Sequence, residues 1–456
     1  MAALPANALH RIGKLFGAKP NKAVFTPAEV RQLQHAVCTE LGLDVSWALQ
    51  TYDRTPYFFN LMSAMASCLQ DVDAVLPSTL SQGAPTGVRE QIPPSGVWPA
   101  KDTPLAPDCA LELCMCDNNH ASATAEPTKV TALLEQEIAQ GFVEKVQGGH
   151  AELLERFSAE DLAIGKLGLV SRPGKEDRLI GDSRASGASP AASFAEKAEV
   201  PALGNFTQAL DKHAAWFGRP AQPSDWVLVS LDVKGAHKSI KTAPKDVCFA
   251  IFKHLEDYYM YLVNHFGASW SAYWWSRLGA LILRLAHFTI RHQHLGAIYV
   301  DDFLWMFPKK SWVHLTAVLI SLLQVLGVPL SWNKLQIGDS VIYLGWNLQL
   351  HASFSASMRT DRQQKILCWI SWFLLHPRRA SRIELQQFLG LLVWATQVCL
   401  HMRPFLAPLF GALYRPTQKL LRLTPGQIEE LRDIIDAATM LASSKATRMC
   451  SRVGSS

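Results

Sequence analysis

Gly296-Ala-Ile-Tyr-Val-Asp-Asp-Phe-Leu-Trp-Met-Phe307 is the stretch from which the fold is read. Two adjacent carboxylates, Asp301 and Asp302, interrupt an otherwise apolar run. Ala297 to Val300 and Phe303 to Phe307 are rich in the aromatic and β-branched residues that strands favour. Apolar runs on both sides of a polar pair predict a hairpin with the pair at its tip. Acids in such surroundings are costly unless they meet a cation or a donor. Taken alone, the string also fits a plain Asp-Asp turn, so its meaning depends on what the rest of the chain supplies.

Upstream, Trp226-Val-Leu-Val-Ser-Leu-Asp-Val233 predicts a buried strand whose only charge is Asp232. An acid at the end of an apolar strand is a frequent metal ligand or catalytic group. Asn264-His-Phe-Gly-Ala-Ser-Trp-Ser271 reads as a loop leading into a helix over about Ser271 to Arg291. Further upstream, Lys166 to Asp182 predicts a β-hairpin around a Pro-Gly turn, and it carries Arg172, Lys175 and Arg178. Such a basic turn can close over a phosphate, or serve solubility alone. Pro127 opens an amphipathic helix ended by Gly141, and Thr26-Pro-Ala-Glu29 is a capping box opening another of about 14 residues. Leu76 to Thr128 reads as irregular and partly extended.

Downstream, Val313 to Leu330 approaches the length of a membrane span, but His314, Gln324, Gly327 and Pro329 favour a core helix. Lys334 and Tyr343-Leu-Gly-Trp346 follow, and Ser357 to Tyr414 reads as helices with a capping box at Ser381-Arg-Ile-Glu384. No feature calls for a membrane or a protein partner.

A chain of 456 residues, 49% apolar and 18% charged, is a globular protein long enough for two or three domains. The net charge of +5 is uneven: from Met358 onward there are 14 Lys+Arg against 6 Asp+Glu. A basic C-terminal third suits a polyanion such as nucleic acid, or is a solvated helical surface. Nine cysteines without regular spacing point to a reducing, intracellular compartment, nucleus or cytoplasm. Cys109, Cys114, Cys116 and His120 lack the paired spacing of common zinc sites and read as buried or loop residues.

The order of these elements resembles that of retroelement reverse transcriptases, retrotransposon-type RNA-directed DNA polymerases, over about Thr128 to Tyr414. Tyr299-Val-Asp-Asp302 looks like the family's double-aspartate signature, and Leu231 to Ile240 its first aspartate motif. Phe266-Gly267 resembles the loop against the incoming nucleotide, and Arg178 to Arg184 the fingers motif. Lys334 matches the lysine that follows, and Leu344-Gly345-Trp346 the primer grip. The resemblance implies an α+β right-hand fold: an antiparallel palm sheet backed by helices, with fingers, a helical thumb and an N-terminal extension. The expected divisions are 1–126 for the extension, 127–357 for fingers and palm, 358–420 for the thumb, and 421–456 for a last helix and tail.

Extending a nucleic acid requires a 3′-hydroxyl to attack an α-phosphate, with two divalent ions about 3.5–4 Å apart on the attacking and leaving oxygens. The resemblance implies that Asp232, Asp301, Asp302 and the Val233 carbonyl hold two Mg²⁺, with Mn²⁺ as a substitute. Neighbouring strand side chains point to opposite faces, so Asp301 and Asp302 cannot both aim at one point. By the family pattern Asp301 bridges beside Asp232, and Asp302 is the weaker ligand. Lys334 acts as a cation or a proton donor to pyrophosphate. Arg178, with Arg172 or Lys175, grips the β- and γ-phosphates of a dNTP. Arg378, Arg379 and Arg382 contact the phosphates of an RNA template and its DNA or RNA primer. Two departures stand out: His237 replaces the usual Tyr or Phe that screens the sugar, and Asn264-His265 replaces the usual Leu-Pro. They keep open a silent nucleic-acid-binding relative and an RNA-dependent RNA polymerase. The tail after Thr424 carries no second acidic constellation, so a complete RNase H or integrase is not expected, and the chain reads as a fragment or remnant of an element.

Overall fold

A computed structural model describes residues 4–101 apart from 6, 112–201, 222–351, 354–376, 380–397 and 400–414, with scattered residues between and beyond. Its strands include, in chain order, β1 (Val143–Val146), β2 (Ile164–Val170), β3 (Arg178–Asp182), β4 (Trp226–Asp232), β5 (Ile251–His254), β6 (Asp257–Tyr261), β7 (Leu295–Tyr299), β8 (Asp302–Pro308), β9 (Gln336–Gly338), β10 (Ser340–Tyr343), β11 (Trp346–Leu350) and β12 (Phe354–Met358).

The central sheet is antiparallel in the order β7-β8-β4-β9. All seven residues of β4 are buried because both faces of the sheet are covered. Val227, Val229, Leu231, Phe303, Trp305 and Phe307 join the main core. The helices Ser269–Thr289 and Trp312–Val325 lie against this sheet. Trp226, Leu228, Leu304 and Met306 pack instead with residues of β10, β11 and β12. A strand covered on both sides reads as one apolar run, as Trp226 to Leu231 does. The hairpins predicted around Pro173-Gly174 and the double aspartate both form, as β2–β3 and β7–β8. Strands β1, β6, β5, β2 and β3 make a second sheet, antiparallel except where β2 and β5 run parallel.

The expected core helix at 313–330 forms but stops at Val325. Gly327 adopts φ +79°, and a Cβ there would lie 2.1 Å from the Pro56 carbonyl oxygen, so the chain must turn at a glycine. Among the described residues no helix is long and apolar enough to cross a membrane.

Residues before Pro127 pack as a layer on this core. The capping box at Thr26 forms, and the helix Pro27–Glu40 has the expected 14 residues. Gln34 Nε2 donates to the Val325 carbonyl (3.2 Å) and the Phe58 N–H to that of Leu326 (3.2 Å). The N-terminal layer thereby satisfies carbonyls that the Trp312–Val325 helix leaves open at its end. The segment expected to be irregular from Leu76 first makes a helix, Leu76–Gln82, because Leu76, Pro77 and Leu80 face the core. It then runs extended, with isolated bridges from Ala84 to Thr242, Ile92 to Phe194 and Ala100 to Glu196. Arg284 grips Asp71 through two hydrogen bonds (2.7 and 2.8 Å), and Arg277 grips Asp73 likewise (3.0 and 2.5 Å).

The helices Thr360–Leu375, Arg382–Ala395 and Ala407–Leu413 enclose a separate core around Ile370, Phe373, Phe388, Leu389 and Leu409. The Ser381 capping box forms, but Ser357 and Met358 belong to β12, so the helical stretch begins later than expected. Ser357 faces Asn347 across the β11–β12 pairing. There the ladder sets the local structure, ahead of any helical preference.

Arg277 and Asp73 are 4% and 0% exposed. Truncating one partner strands the other charge in the core, at a cost of roughly 3–5 kcal/mol. Asp73→Ala should therefore lower the urea midpoint far more than Lys145→Ala, which breaks a solvated pair with Asp257. Equal effects would mean that the buried pair contributes nothing special.

Candidate active site

Strand pairing builds the acidic corner. Asp232 ends β4 and Asp302 opens β8, and the two are direct register partners. Residues directly opposite in a sheet point to the same face. Asp232 is in phase with Trp226, Leu228 and Ser230, so both acids emerge on the face shared with β10 and β11, beyond its apolar cover. The tip of the hairpin is Val300–Asp301, one residue earlier than expected, and Asp302 already belongs to the strand. Simple strand alternation therefore does not relate Asp301 to Asp302. Val300 has φ +52°, and a residue in the turn is released from the two-faced pattern. The Asp301 carbonyl accepts from the Val233 N–H (2.9 Å), which ties the turn to the end of β4.

Lys334 closes the corner. Its Nζ lies 2.7 Å from Asp232 Oδ2, and the Ser331 N–H donates to the Asp232 carbonyl (2.8 Å). Burial raises the proton affinity of Asp301, and the charge of Asp232 adds to it. Burial also pushes the Asp302 carboxyl up to about 7, assisted by the charges of Asp301 and Asp232. Both shifts describe a half-buried group of negative charges that one ammonium does not neutralise. Carboxylate oxygens are hard donors, so the chemistry of this set fits Mg²⁺ or Mn²⁺. Among the described residues no three His, Cys, Asp or Glu side chains already enclose a common point. Any cation here would take part of its shell from carboxylate rearrangement, water or substrate oxygens. At the zinc candidates, the Cys114 and Cys116 thiols rest on the Ala185 carbonyl and His120 on Asp182 (2.9 Å), while Cys109 lies outside the described residues.

His237 stands beside this corner. Its Nδ1 meets the Ser271 carbonyl at 3.0 Å, so Nδ1 carries the hydrogen and Nε2 is left as an acceptor in the neutral ring. Burial lowers its pKa, with Asp301 acting in the opposite sense. The imidazole stands edge-on to the Phe266 ring, 5.3 Å between centroids. The Phe266 carbonyl accepts from the Gly181 N–H (2.9 Å). A Cβ on Gly267 (φ +107°) would lie 2.3 Å from the Gly181 oxygen, and one on Gly181 would strike Phe252 and His265. Gly267 is thus required by the close approach of the loop to β3, and Gly181 by the Phe252 and His265 rings packed against it. His265, one of the two departures, is fully buried against Ser183 Oγ (2.9 Å), and burial pushes its pKa down to about 3. It is a packed, neutral core residue.

Arg178 opens β3, and Arg172 and Lys175 lie on the turn before it; all three are exposed and none touches the carboxylates. The structure therefore brings their strand to the Phe266 loop but leaves their heads in solvent. Leu344 (φ +51°) and Gly345 (φ +82°) form the two-residue turn between β10 and β11, both left-handed as a type I′ turn requires. Trp394 steadies it: its Nε1 donates to the Leu344 carbonyl (3.0 Å), and its ring stacks on Trp346 at 5.1 Å. The Tyr343 hydroxyl reaches the Asp302 carbonyl (3.4 Å), linking this turn to the acidic corner. Arg382 is exposed at a helix start, and Arg378 and Arg379 lie outside the described residues. Sequence reasoning missed Trp394 and Lys238, whose ammonium pairs with Glu137 (2.5 Å) and lies over the Phe266 ring. A Trp in helical phase looks like ordinary core, and nothing local marks its partner.

No family model matches the chain, and no curated protein matches it. Solved structures do. The foamy viral protease-reverse transcriptase in complex with RNA/DNA hybrid is 14% identical with a TM-score of 0.52, over 92% of this chain and 47% of that one. The same protein with dsDNA is 13% identical with a TM-score of 0.50, over 95% and 75%. A further form with dsDNA covers 92% and 62%, also at 13% and 0.50. The fold is reverse-transcriptase-like. At this identity the likeness is one of fold, and the chain spans 47% of the neighbour bound to RNA/DNA hybrid and 62% of the further form with dsDNA.

With divalent cations chelated, the acidic corner gives a sign-defined pH response. Asp302 rises from an ordinary 3.8 to about 7 on folding, so the folded state keeps a proton that the unfolded chain has lost between those values. Its contribution to stability is full below about pH 4 and lost as pH rises to about pH 7. Thermal unfolding in chelator should show this decline in the wild type and a smaller one in Asp302→Asn. Equal slopes would exclude Asp302 as a source.

Proposed function

We propose that the chain is an RNA-directed DNA polymerase of a retrotransposon-type mobile element, extending a DNA or RNA primer with dNTPs on an RNA template. The observation that carries this reading is the convergence of Asp232, Asp301, Asp302 and Lys334 beside His237 and the Phe266-Gly267 loop. In this reading residues 127–357 are fingers and palm, 358–420 the thumb, and 1–126 an extension layered on the palm.

Asp232, Asp301, Asp302 and the Val233 carbonyl would hold two Mg²⁺ or Mn²⁺ ions, which when bound stabilise the attacking and leaving oxygens. The remaining work falls to the chain's own side chains. Lys334 gives up its hold on Asp232 and turns its ammonium to the departing pyrophosphate, as a charge or a proton source. Arg178, with Arg172 and Lys175, closes over the β- and γ-phosphates from a turn that solvent leaves free to adjust. His237 and Phe266 form one wall beside the sugar, and the Leu344–Trp346 turn supports the primer end. Arg378, Arg379 and Arg382 take phosphates of the template–primer duplex.

A second reading, a silent polymerase-derived nucleic-acid binder, is favoured by one observation: Lys334 already occupies Asp232 as a salt-bridge partner. One assay separates the two. The purified protein is given a primed RNA template with dNTPs or rNTPs and Mg²⁺, beside Asp301→Ala. Extension with dNTPs that Asp301→Ala abolishes is the expected result. Binding without extension would establish the silent binder, and preferential use of rNTPs would make the protein an RNA polymerase.

A further inference from the structure

The β7–β8 turn has an unusual backbone for its sequence. Tyr299 and Asp302 are register partners, so Val300 and Asp301 alone make the turn. Of these two only Val300 has positive φ, the pattern of a type II′ turn, which ordinarily places Gly there. A β-branched residue in the left-handed region is a genuine outlier and persists only where its surroundings enforce it.

Two hydrogen bonds do so. The Val233 N–H donates to the Asp301 carbonyl (2.9 Å), and Trp275 Nε1 donates to the Val300 carbonyl (2.8 Å). Trp275 is fully buried in the Ser269–Thr289 helix. That helix lies close on the hairpin: a Cβ on Gly279, one turn along, would sit 2.8 Å from Ile298 Cδ1. Arg277 and Arg284 fix the same helix to Asp73 and Asp71 on the N-terminal layer. The donor therefore stands on an element tied down at several points.

We propose that Trp275 is a positioning residue for the double-aspartate hairpin: its indole N–H locks the left-handed Val300 peptide and so sets where the Asp301 carboxylate points. The inference rests on the polymerase reading for its catalytic consequence, but its geometric core does not. The adjacent Trp274 supplies an internal control. It lies on the same helix, and its Nε1 donates to the Pro85 carbonyl (2.6 Å) of the N-terminal layer, away from the turn.

The test compares Trp275→Phe and Trp274→Phe in the full chain. Mn²⁺ binding is measured by electron paramagnetic resonance without nucleotide, and single-nucleotide extension gives kcat and KM. Trp275→Phe should lower kcat by on the order of ten- to a hundredfold, the scale of a slightly misplaced reacting group, with KM for dNTP little changed. It should also weaken Mn²⁺ binding. Trp274→Phe should lower the thermal midpoint yet leave kcat and Mn²⁺ binding as in the wild type. Adding Val300→Gly, which takes the turn without strain, should restore part of the Mn²⁺ affinity lost in Trp275→Phe. This double variant also carries the measurement if Trp275→Phe alone does not fold. Equal effects of the two tryptophan changes, or no recovery with Val300→Gly, would overturn the proposal. If the wild type extends no primer, the polymerase reading fails while the Mn²⁺ comparison still decides the role of Trp275.

Discussion

The pairing of β4 with β8 is the constraint on which the site depends. It sets Asp232 across from Asp302 and leaves Asp301 in the turn beside them. Three carboxylates then share one half-buried corner with the Lys334 ammonium. A folded chain keeps such an arrangement only if the rest of the structure supplies the energy to hold it, as functional sites commonly require. Here that energy comes from the two apolar faces of the central sheet. Each face is covered by different elements, so the sheet cannot shift register without exposing one of them.

The N-terminal layer packs on the elements that hold this corner. It shares the main core, caps the end of the Trp312–Val325 helix and grips the Ser269–Thr289 helix through two ion pairs, one fully and one partly buried. One face of that second helix meets this layer, and the other carries the indole that holds the β7–β8 turn. The layer is thus joined to the corner through packed side chains with fixed partners.

The two departures from the reverse-transcriptase pattern differ in physical weight. His265 is absorbed into the core beside Gly181 and Ser183, neutral and fully enclosed, and so changes packing only. His237 lies beside Asp301 and Phe266 with its Nδ1 engaged by a backbone carbonyl, leaving Nε2 as an acceptor. A ring of that kind offers a hydrogen-bond partner where a phenyl group would offer only bulk.

Sequence alone determined the local elements and the order of the chemistry-bearing residues. The apolar run ending at Asp232, the capping boxes at Thr26 and Ser381 and the Pro-Gly hairpin were legible because each is set by neighbours a few residues apart. So was the double-aspartate hairpin, although its tip lay one residue earlier than the polar pair between two apolar runs suggested. The pairing partner of Asp232, the tie of Lys334 to it and the layer formed by residues before Pro127 were not legible. Nor was the reason for Gly181 and Gly267: Gly267 lies against the Gly181 carbonyl, and Gly181 against the Phe252 and His265 rings, all of them distant in the chain. Trp275 looked like core and is also a donor to the turn. These are contacts between segments far apart in the chain, and local periodicity carries no information about which distant backbone will arrive. Only the tertiary structure decided them, because register, close approach and the pairing of buried charges exist only once the layers have packed.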